Sequence, residues 1–508
     1  MLLAVEARRD VGAGDSIAPR RSWTLLDWFL MSAITLAGGL ARLVHLRYPR
    51  DLVFDETYYA KDACWYVEAA QDVCGMRQTE AHPPLGKWLI ATGIELFGFE
   101  SLGWRIIVLI AGTVTIALLY VLAKRVMRST LAASVAAALL ALDLLHFVQS
   151  RTAMLDIFLP LFGVAATLFV VMDRDDHRSA SFLRPWRLAA GAAAGAAVTV
   201  KWSGVLILVM VFVLAAVWSR QRRDEIPTAP DLGPRIASLA VSFFALPALI
   251  YLLSYAGRLD GSLLAFPWAE GSWFRSFFDH HGYMLEYHRN LEQTHSYQSP
   301  PYTWLLLKRP VAYFFETAAN GDYREIMATG NPFVWWPSVA ALIYVAVDRV
   351  TAPERGRASG VILAGFGFTY LPWLLIAFTQ RSAVFLFYLL PTVPFMCLAL
   401  AYVARRVARF WEGRVALTLF AAVAIASFLF YRPLLVGDPL RYEDWRRRLC
   451  LAGQSSGRCL FAHPEACEKP DGKIESITET VTTDGTVSVT SSESSSNESL
   501  PPKGWCWI

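Results

Sequence analysis

The run LLDWFLMSAITLAGGLARLVHL, residues 25–46, decides the fold class of this chain. An apolar helix of about 20 residues is long enough to cross the hydrocarbon core of a bilayer. Similar runs recur from end to end, and the composition is 55% hydrophobic and only 18% charged. A soluble domain of 508 residues would carry more charge. The chain is therefore predicted to be an all-α polytopic membrane protein.

About eleven transmembrane helices are predicted from these runs. They lie near residues 24–45, 104–123, 130–148, 154–172, 188–200, 203–218, 236–256, 333–348, 360–379, 384–403 and 415–431. If the N-terminus is cytoplasmic, every segment on that side is rich in arginine or lysine, as the positive-inside rule requires. An odd number of spans then places the C-terminal tail outside.

The predicted topology divides the chain into three parts. Residues 1–22 lack the apolar core of a signal peptide and are expected to form a cytoplasmic tail. Residues 23–437 form the membrane domain, with two long extracytoplasmic loops at about 46–103 and about 257–332. The first loop should contain an interfacial helix after Pro83-Pro84.

The third part, residues 438–508, is an extracytoplasmic tail. Its segment 474–499 is rich in Ser, Thr and Glu and is predicted to be disordered. Six of the seven cysteines fall in segments predicted to lie outside. Disulfides are therefore expected, with Cys64–Cys74 the easiest pair to form. The cysteine spacings do not match a zinc site, so no metal site is predicted.

A pair of adjacent carboxylates follows the first span directly. In DLVFDETYYAKDACWYV, residues 51–67, these are Asp55 and Glu56. Adjacent side chains point in different directions, so only one of them can face a given substrate. The alternative is a solvated acidic start to an interfacial helix.

Other ionisable residues accumulate at the same predicted depth, at the outer ends of the spans. They are His82 and Lys87 in HPPLGK, Arg151 and Asp156 in RTAMLD, Lys201 in KWSG, and Arg381 ahead of a late span. Ionisable groups at such depths are costly and often functional, although pairing between helices competes with that interpretation. For Asp156 and Lys201 in particular, both interpretations stay open.

One or two carboxylates beside several cations indicate a specific chemistry. Cations near the headgroup level suit a lipid-linked phosphate, and a neighbouring carboxylate suits a base that takes a proton from an attacking hydroxyl. These residues therefore favour a glycosyl or related transferase with a polyprenyl-phosphate donor. No basic stripe typical of nucleic-acid binding is present. No cofactor is required, and a divalent cation is compatible with these residues.

Four motifs carry a family resemblance. FDETYY with the lysine that follows it, HPPLGK, SRTAMLD and KWSG, in this order, resemble the protein O-mannosyltransferases, most closely the actinobacterial branch. The stretch EYHRNLEQTHSYQSPPYTWLLLKRPVAYFF, residues 286–315, is also similar to the long external loop of that branch. The resemblance covers roughly residues 25–445.

The resemblance implies a GT-C type glycosyltransferase of the plasma membrane, with its active site on the extracytoplasmic side. It would transfer mannose from polyprenyl-phosphate-mannose to Ser or Thr of secreted proteins, with inversion in a single displacement. Asp55 would be the catalytic base and Glu56 the residue that positions it or the acceptor. The donor phosphate would be held by Lys201 and Arg381, and Arg151 could hold acidic or phosphate groups, with Asp156 in support. His82 and Lys87 would be structural or donor-side residues.

The chain departs from the family in two places. About 75 residues in the second long loop are too few for the β-trefoil of eukaryotic members. The Ser/Thr-rich tail is not part of the family pattern and is either a spacer or itself a mannosylated substrate. Two other functions stay open, a GT-C enzyme that glycosylates a lipid or cell-wall polysaccharide, and a transporter of polyprenyl-linked sugars.

Overall fold

The computed structural model describes residues 23–68, 71–75, 81–176, 184–225, 232–256, 273–289, 297–352, 356–376, 384–449, 475–481 and 487–493. Its α-helices, in chain order, are α1 (Leu25–Leu43), α2 (Glu56–Trp65), α3 (Gln71–Cys74), α4 (Leu85–Phe97), α5 (Ser101–Met127), α6 (Thr130–Ala141), α7 (Leu144–Gln149), α8 (Phe158–Asp175), α9 (Pro185–Val200), α10 (Val205–Glu225), α11 (Leu232–Ala240), α12 (Leu246–Leu253), α13 (Trp273–Arg289), α14 (Pro332–Thr351), α15 (Gly356–Ile376), α16 (Val393–Val407), α17 (Trp411–Tyr431), α18 (Pro433–Val436) and α19 (Tyr442–Leu449).

Nine helical segments within these described ranges are long and apolar enough to cross a membrane. They comprise α1, α5, α8, α10, α11 continued through a π-turn into α12, α14, α15, α16 and α17. Short 3₁₀ turns extend α8, α10 and α16 at their N-terminal ends. Nine of the eleven predicted spans therefore have a counterpart of sufficient length.

The other two predicted spans correspond to helices that are not among these nine. The run at 130–148 divides into α6 and α7, because the carboxylate of Asp143 accepts a hydrogen bond from the backbone N–H of His146 (2.9 Å) and caps a new helix. The run at 188–200 is α9, a helix of 16 residues. Its glycines allow close packing, since a Cβ at Gly191 would lie 1.7 Å from the carbonyl oxygen of Ser242.

The first long loop is helical and cross-linked. A helix follows Pro83-Pro84, as predicted: it is α4, which begins at Leu85. The predicted Cys64–Cys74 disulfide is confirmed, with the two Cα atoms 5.5 Å apart. It joins α2 to α3 and so limits the movement of the segment that follows Asp55 and Glu56.

Two strand pairs modify the all-α expectation. Strands β1 (Val311–Thr317) and β2 (Tyr323–Ala328) form an antiparallel hairpin in the second long loop. Strands β3 (Glu475–Val481) and β4 (Val487–Glu493) pair inside the tail. Both strands fall within 474–499, where β-branched Val, Ile and Thr favour an extended backbone; disorder of this segment stays a prediction.

Candidate active site

The backbone just before Asp55 has an unusual conformation. Phe54 has a φ angle of +48°, in the left-handed region that a residue with a bulky side chain rarely adopts. Its ring stacks on Tyr313 with centroids 4.6 Å apart and meets Phe387 edge-on at 5.9 Å. This aromatic packing holds the turn that leads into α2, and such turns are frequent where a functional group must be aimed.

Glu56 is buried and its carboxylate is fully engaged. The Arg105 guanidinium donates to both oxygens, from Nε to Oε1 at 2.8 Å and from Nη2 to Oε2 at 2.7 Å. The backbone N–H groups of Val53 and Ala153 add further hydrogen bonds at 3.1 and 2.8 Å. A carboxylate held in this way fixes the loop to α5, so Glu56 positions the segment that carries Asp55.

Asp55 is only partly buried and has a different electrostatic environment. Burial is the largest influence and raises the pKa of its carboxyl from 3.8 to about 7. The ammonium group of Lys201 and a hydrogen bond from the Tyr59 hydroxyl lower the pKa, while the carboxylate of Asp156 raises it. A carboxyl group that titrates near neutral pH can act as a general base under physiological conditions.

Lys201 and Asp156 form a buried ion pair. The Lys201 Nζ atom lies 3.0 Å from each carboxylate oxygen of Asp156 and 4.7 Å from the centre of the Tyr388 ring. Lys201 is in the short connection between α9 and α10, and Asp156 is in the 3₁₀ turn before α8. The pairing that the sequence left open is therefore present, and it brings both groups to the same cavity.

This cavity has a volume of about 350 Å³, which is within the range of small-ligand sites. Its walls combine cationic, acidic and apolar side chains. They are His82, Asp156, Leu159, Lys201, Trp202, Ser203, Leu206, Ile207, Leu285, His288, Arg289, Thr369, Trp373, Tyr388 and Pro391. Asp55 is not among these lining residues, but the charges of Lys201 and Asp156 act on its carboxyl group.

His82 lies in the cavity wall, as a donor-side residue would. Its ring centroid is 5.4 Å from that of His288 and 5.9 Å from that of Tyr59. The His288 Nε2 atom is 2.8 Å from the backbone carbonyl oxygen of Ala81. These contacts join α13 to the HPPLGK turn at the edge of the cavity.

Lys87 and Arg151, also predicted to serve the donor side, have partners outside the cavity lining. Lys87 forms a buried ion pair with Asp62 at 2.9 Å and so ties α4 to α2. Arg151 donates to the backbone carbonyl groups of Arg42 and Val44 and lies 5.5 Å from the ring centre of Phe147. Neither Lys87 nor Arg151 is among the residues that line the cavity, and their part in donor binding stays a prediction. Arg381 is outside the described residues.

Several site residues were not singled out from the sequence. Arg289 and Tyr388 line the cavity, and Arg105 holds Glu56. Arg105 could have been found from the sequence, because a charged residue inside a predicted span is unusual and often functional. Nothing in the sequence distinguishes Arg289 and Tyr388, since polar and aromatic residues are common in the segments around them. Among the described residues, no group of three or more His, Cys, Asp or Glu side chains is placed to hold a metal ion.

Comparison with known proteins identifies the family. Residues 32–106 and 100–257 match the profile described as dolichyl-phosphate-mannose-protein mannosyltransferase. Residues 273–453 match the C-terminal four-transmembrane region of protein O-mannosyltransferase. A polyprenol-phosphate-mannose–protein mannosyltransferase of Mycolicibacterium smegmatis is 30% identical, over 84% of this chain and 92% of the relative. The Corynebacterium glutamicum protein of the same name is 29% identical, over 82% and 92%.

Solved structures show the same fold. The Pmt1–Pmt2 protein O-mannosyltransferase complex of Saccharomyces cerevisiae, bound to the sugar donor, superimposes with a TM-score of 0.71 at 16% identity, over 85% of this chain and 93% of that one. ArnT of Cupriavidus metallidurans gives a TM-score of 0.51 at 18% identity, over 80% and 67%. The fold is that of the GT-C glycosyltransferases. The family profiles and the relatives described above show that the chain belongs to the protein O-mannosyltransferase family.

Proposed function

We propose that this chain transfers mannose from polyprenyl-phosphate-mannose to Ser or Thr hydroxyls of secreted proteins, with Asp55 as the base. The observation that carries the assignment of the base is the pKa of Asp55, raised to about 7 beside a cavity that contains Lys201. The donor class is supported by the names of the relatives that share about 30% identity over most of the chain.

The reaction is a single displacement. The Asp55 carboxylate removes the proton of the acceptor hydroxyl while its oxygen forms a bond to the anomeric carbon of mannose. The bond from that carbon to the phosphate oxygen breaks, and the electron pair leaves with polyprenyl phosphate. Attack from the side opposite the phosphate inverts the anomeric centre, and one carboxylate is sufficient because the leaving group is already acidic.

Cations in the cavity would stabilise the charge of the departing phosphate. An ammonium group has three N–H donors, and two of those of Lys201 suffice for the oxygens of Asp156. The third would be available for a phosphate oxygen, with Arg289 in the cavity lining as a second cation. Arg381 stays a prediction for the same role.

The residues that line the cavity also suit a lipid-linked substrate. Its lining includes the polar side chains of Lys201, His82 and Arg289, and also Leu206, Ile207 and several aromatic rings. The polar side chains would contact the donor phosphate, and the apolar side chains would contact its polyprenyl chain. Neither the charged phosphate nor the apolar chain would then lose its favourable surroundings on binding.

We also infer that the cavity faces the extracytoplasmic side of the plasma membrane. Lys124 and Arg125 lie in the last turn of α5, whereas Arg105, near the opposite end of that helix, binds Glu56 beside Asp55. The positive-inside rule assigns the basic end to the cytoplasm. Transfer to an impermeant peptide by right-side-out but not inside-out vesicles is the expected result.

The reaction is tested with radiolabelled polyprenyl-phosphate-mannose and a Ser/Thr-rich peptide, in membranes that contain the wild type, Asp55→Asn or the matched control Asp51→Asn. Asp51 is exposed in the same loop. Label is expected in the peptide for the wild type and the control only. Label in a lipid or polysaccharide fraction would show that the acceptor is not a protein. Mannose released in the absence of any acceptor, or no consumption of the donor, would contradict the proposed reaction.

A further inference from the structure

Helix α13 is divided lengthwise into faces with different surroundings. One face packs against the protein, where Ser276, His280 and Met284 are buried. At the start of the helix, the indole N–H of Trp273 donates to the backbone carbonyl of Tyr255 at 2.9 Å. The helix is therefore fixed to the segment that follows α12.

A second face is apolar but exposed. Phe274, Phe278 and Leu285 retain 69%, 67% and 60% of their side-chain exposure. At about 100° per residue, the three positions fall within about 40° of one another around the helix axis. They form one narrow stripe, which we call the apolar stripe.

A third face is exposed and charged. Arg275, Asp279 and Glu286 lie there, with the Nε of Arg275 3.7 Å from an oxygen of Asp279. The centre of this charged stripe is about 100° from that of the apolar stripe. Helix α13 thus contacts protein on one face, carries the apolar stripe on the second and charges on the third. This pattern is typical of a helix that lies in a membrane interface.

The surroundings of α13 indicate that a bilayer covers the apolar stripe. The candidate span that ends with α12 exposes Leu249, Leu252 and Leu253, as a lipid-facing surface does. Close to this end, the Tyr251 hydroxyl is 2.8 Å from the Nε2 atom of His281 in α13. The exposed apolar surface of the span therefore continues onto the helix at the level where the span ends.

We propose that α13 lies in the headgroup region of the bilayer, with Phe274, Phe278 and Leu285 inserted at the acyl boundary and the charged stripe in water. Leu285 also lines the cavity, as do His288 and Arg289 at the end of the same helix. The bilayer thus supports one wall of the active site from outside the protein. This placement does not depend on which reaction the cavity catalyses.

Spin-label accessibility in proteoliposomes tests the placement. The background is the full chain with every cysteine except Cys64 and Cys74 changed to serine. Single cysteines replace the apolar stripe, and matched ones replace Arg275, Asp279 and Glu286. The depth of each label follows from its relative collision rates with oxygen, which concentrates in lipid, and with a water-soluble nickel chelate. Each variant is first checked for monodispersity and for the unfolding temperature of the background.

Labels in the apolar stripe are expected about 5–10 Å below the phosphate level, and those in the charged stripe at or above it. Free access of nickel to both stripes would overturn the proposal by placing α13 in water. Low access of both reagents to the apolar stripe would also overturn it, because a protein surface and not lipid would then cover the helix. If the cysteine background does not fold, a nitroxide amino acid incorporated at positions 278 and 279 of the wild-type chain gives the same comparison.

Discussion

Asp55→Asn should remove transfer activity and at the same time stabilise the protein at neutral and alkaline pH. The amide cannot accept a proton from the acceptor hydroxyl, and the loss of a general base lowers a rate by about 10²- to 10⁴-fold. The increase in stability has a separate origin. In the wild type the carboxylate must ionise in a site whose burial raises its pKa from 3.8 to about 7.

The magnitude follows from proton linkage. Because the folded protein binds the Asp55 proton more tightly than the unfolded chain, the free energy of unfolding falls as pH rises from about 4 to about 7 and then levels. A pKa difference of this size corresponds to about 4 kcal/mol as an upper limit. Because the side chain is partly exposed, solvent screening reduces this, and we expect about 2 kcal/mol. Asparagine has no such dependence.

The assay compares denaturant unfolding of the wild type, Asp55→Asn and Asp51→Asn in the same detergent at pH 5 and pH 8. Asp55→Asn should be more stable than the wild type at pH 8, and the difference should become smaller at pH 5. Wild-type transfer, measured in parallel, should increase as pH rises through about 7, because the base must be ionised. Asp51→Asn should match the wild type in both measurements.

Two results would refute this reasoning. Transfer by Asp55→Asn near the wild-type rate would show that the proton leaves by another route. A stability difference that is absent at pH 8, or that grows toward pH 5, would show that Asp55 carries no ionisation penalty in the folded protein. In that case, the raised pKa could not be used to identify the base.

Three further predictions follow from the same contacts. Glu56→Gln should lower the free energy of unfolding by about 3–5 kcal/mol, because it leaves a buried arginine without its counter-ion. The pH midpoint of the residual transfer should stay unchanged, and a shifted midpoint would give Glu56 a direct part in proton transfer. Lys201→Met removes the cation that lowers the pKa of Asp55, so the midpoint should move to higher pH. A midpoint that is unchanged or lower would contradict this coupling. Replacing Cys64 and Cys74 by serine opens a cross-link between residues separated by 10 positions and should cost about 2.5 kcal/mol in denaturant unfolding. Equal stability of the oxidised and reduced wild type would count against this.

The sequence alone was sufficient for the membrane class, most of the spans and the family motifs. Whether a segment enters the hydrocarbon core depends on the transfer free energy summed over that segment, which is a local property. The disulfide between Cys64 and Cys74 was predictable for the same reason, since the two residues are only 10 positions apart. The break at Asp143 was missed because a single cap interrupts a run that stays apolar on average.

The partner of each buried charge was decided only by the tertiary structure. Lys201 and Asp156 are 45 positions apart in the chain, and nothing local to either residue indicates their ion pair. Likewise, only the packing shows that Arg151 donates to backbone carbonyl groups. The sequence showed that Asp55 and Glu56 cannot face the same group. The tertiary structure decides which of the two carboxylates is held in an ion pair and which can act as a base. The reason is that a buried ion is stable only beside a partner of opposite charge, and packing of distant helices supplies that partner.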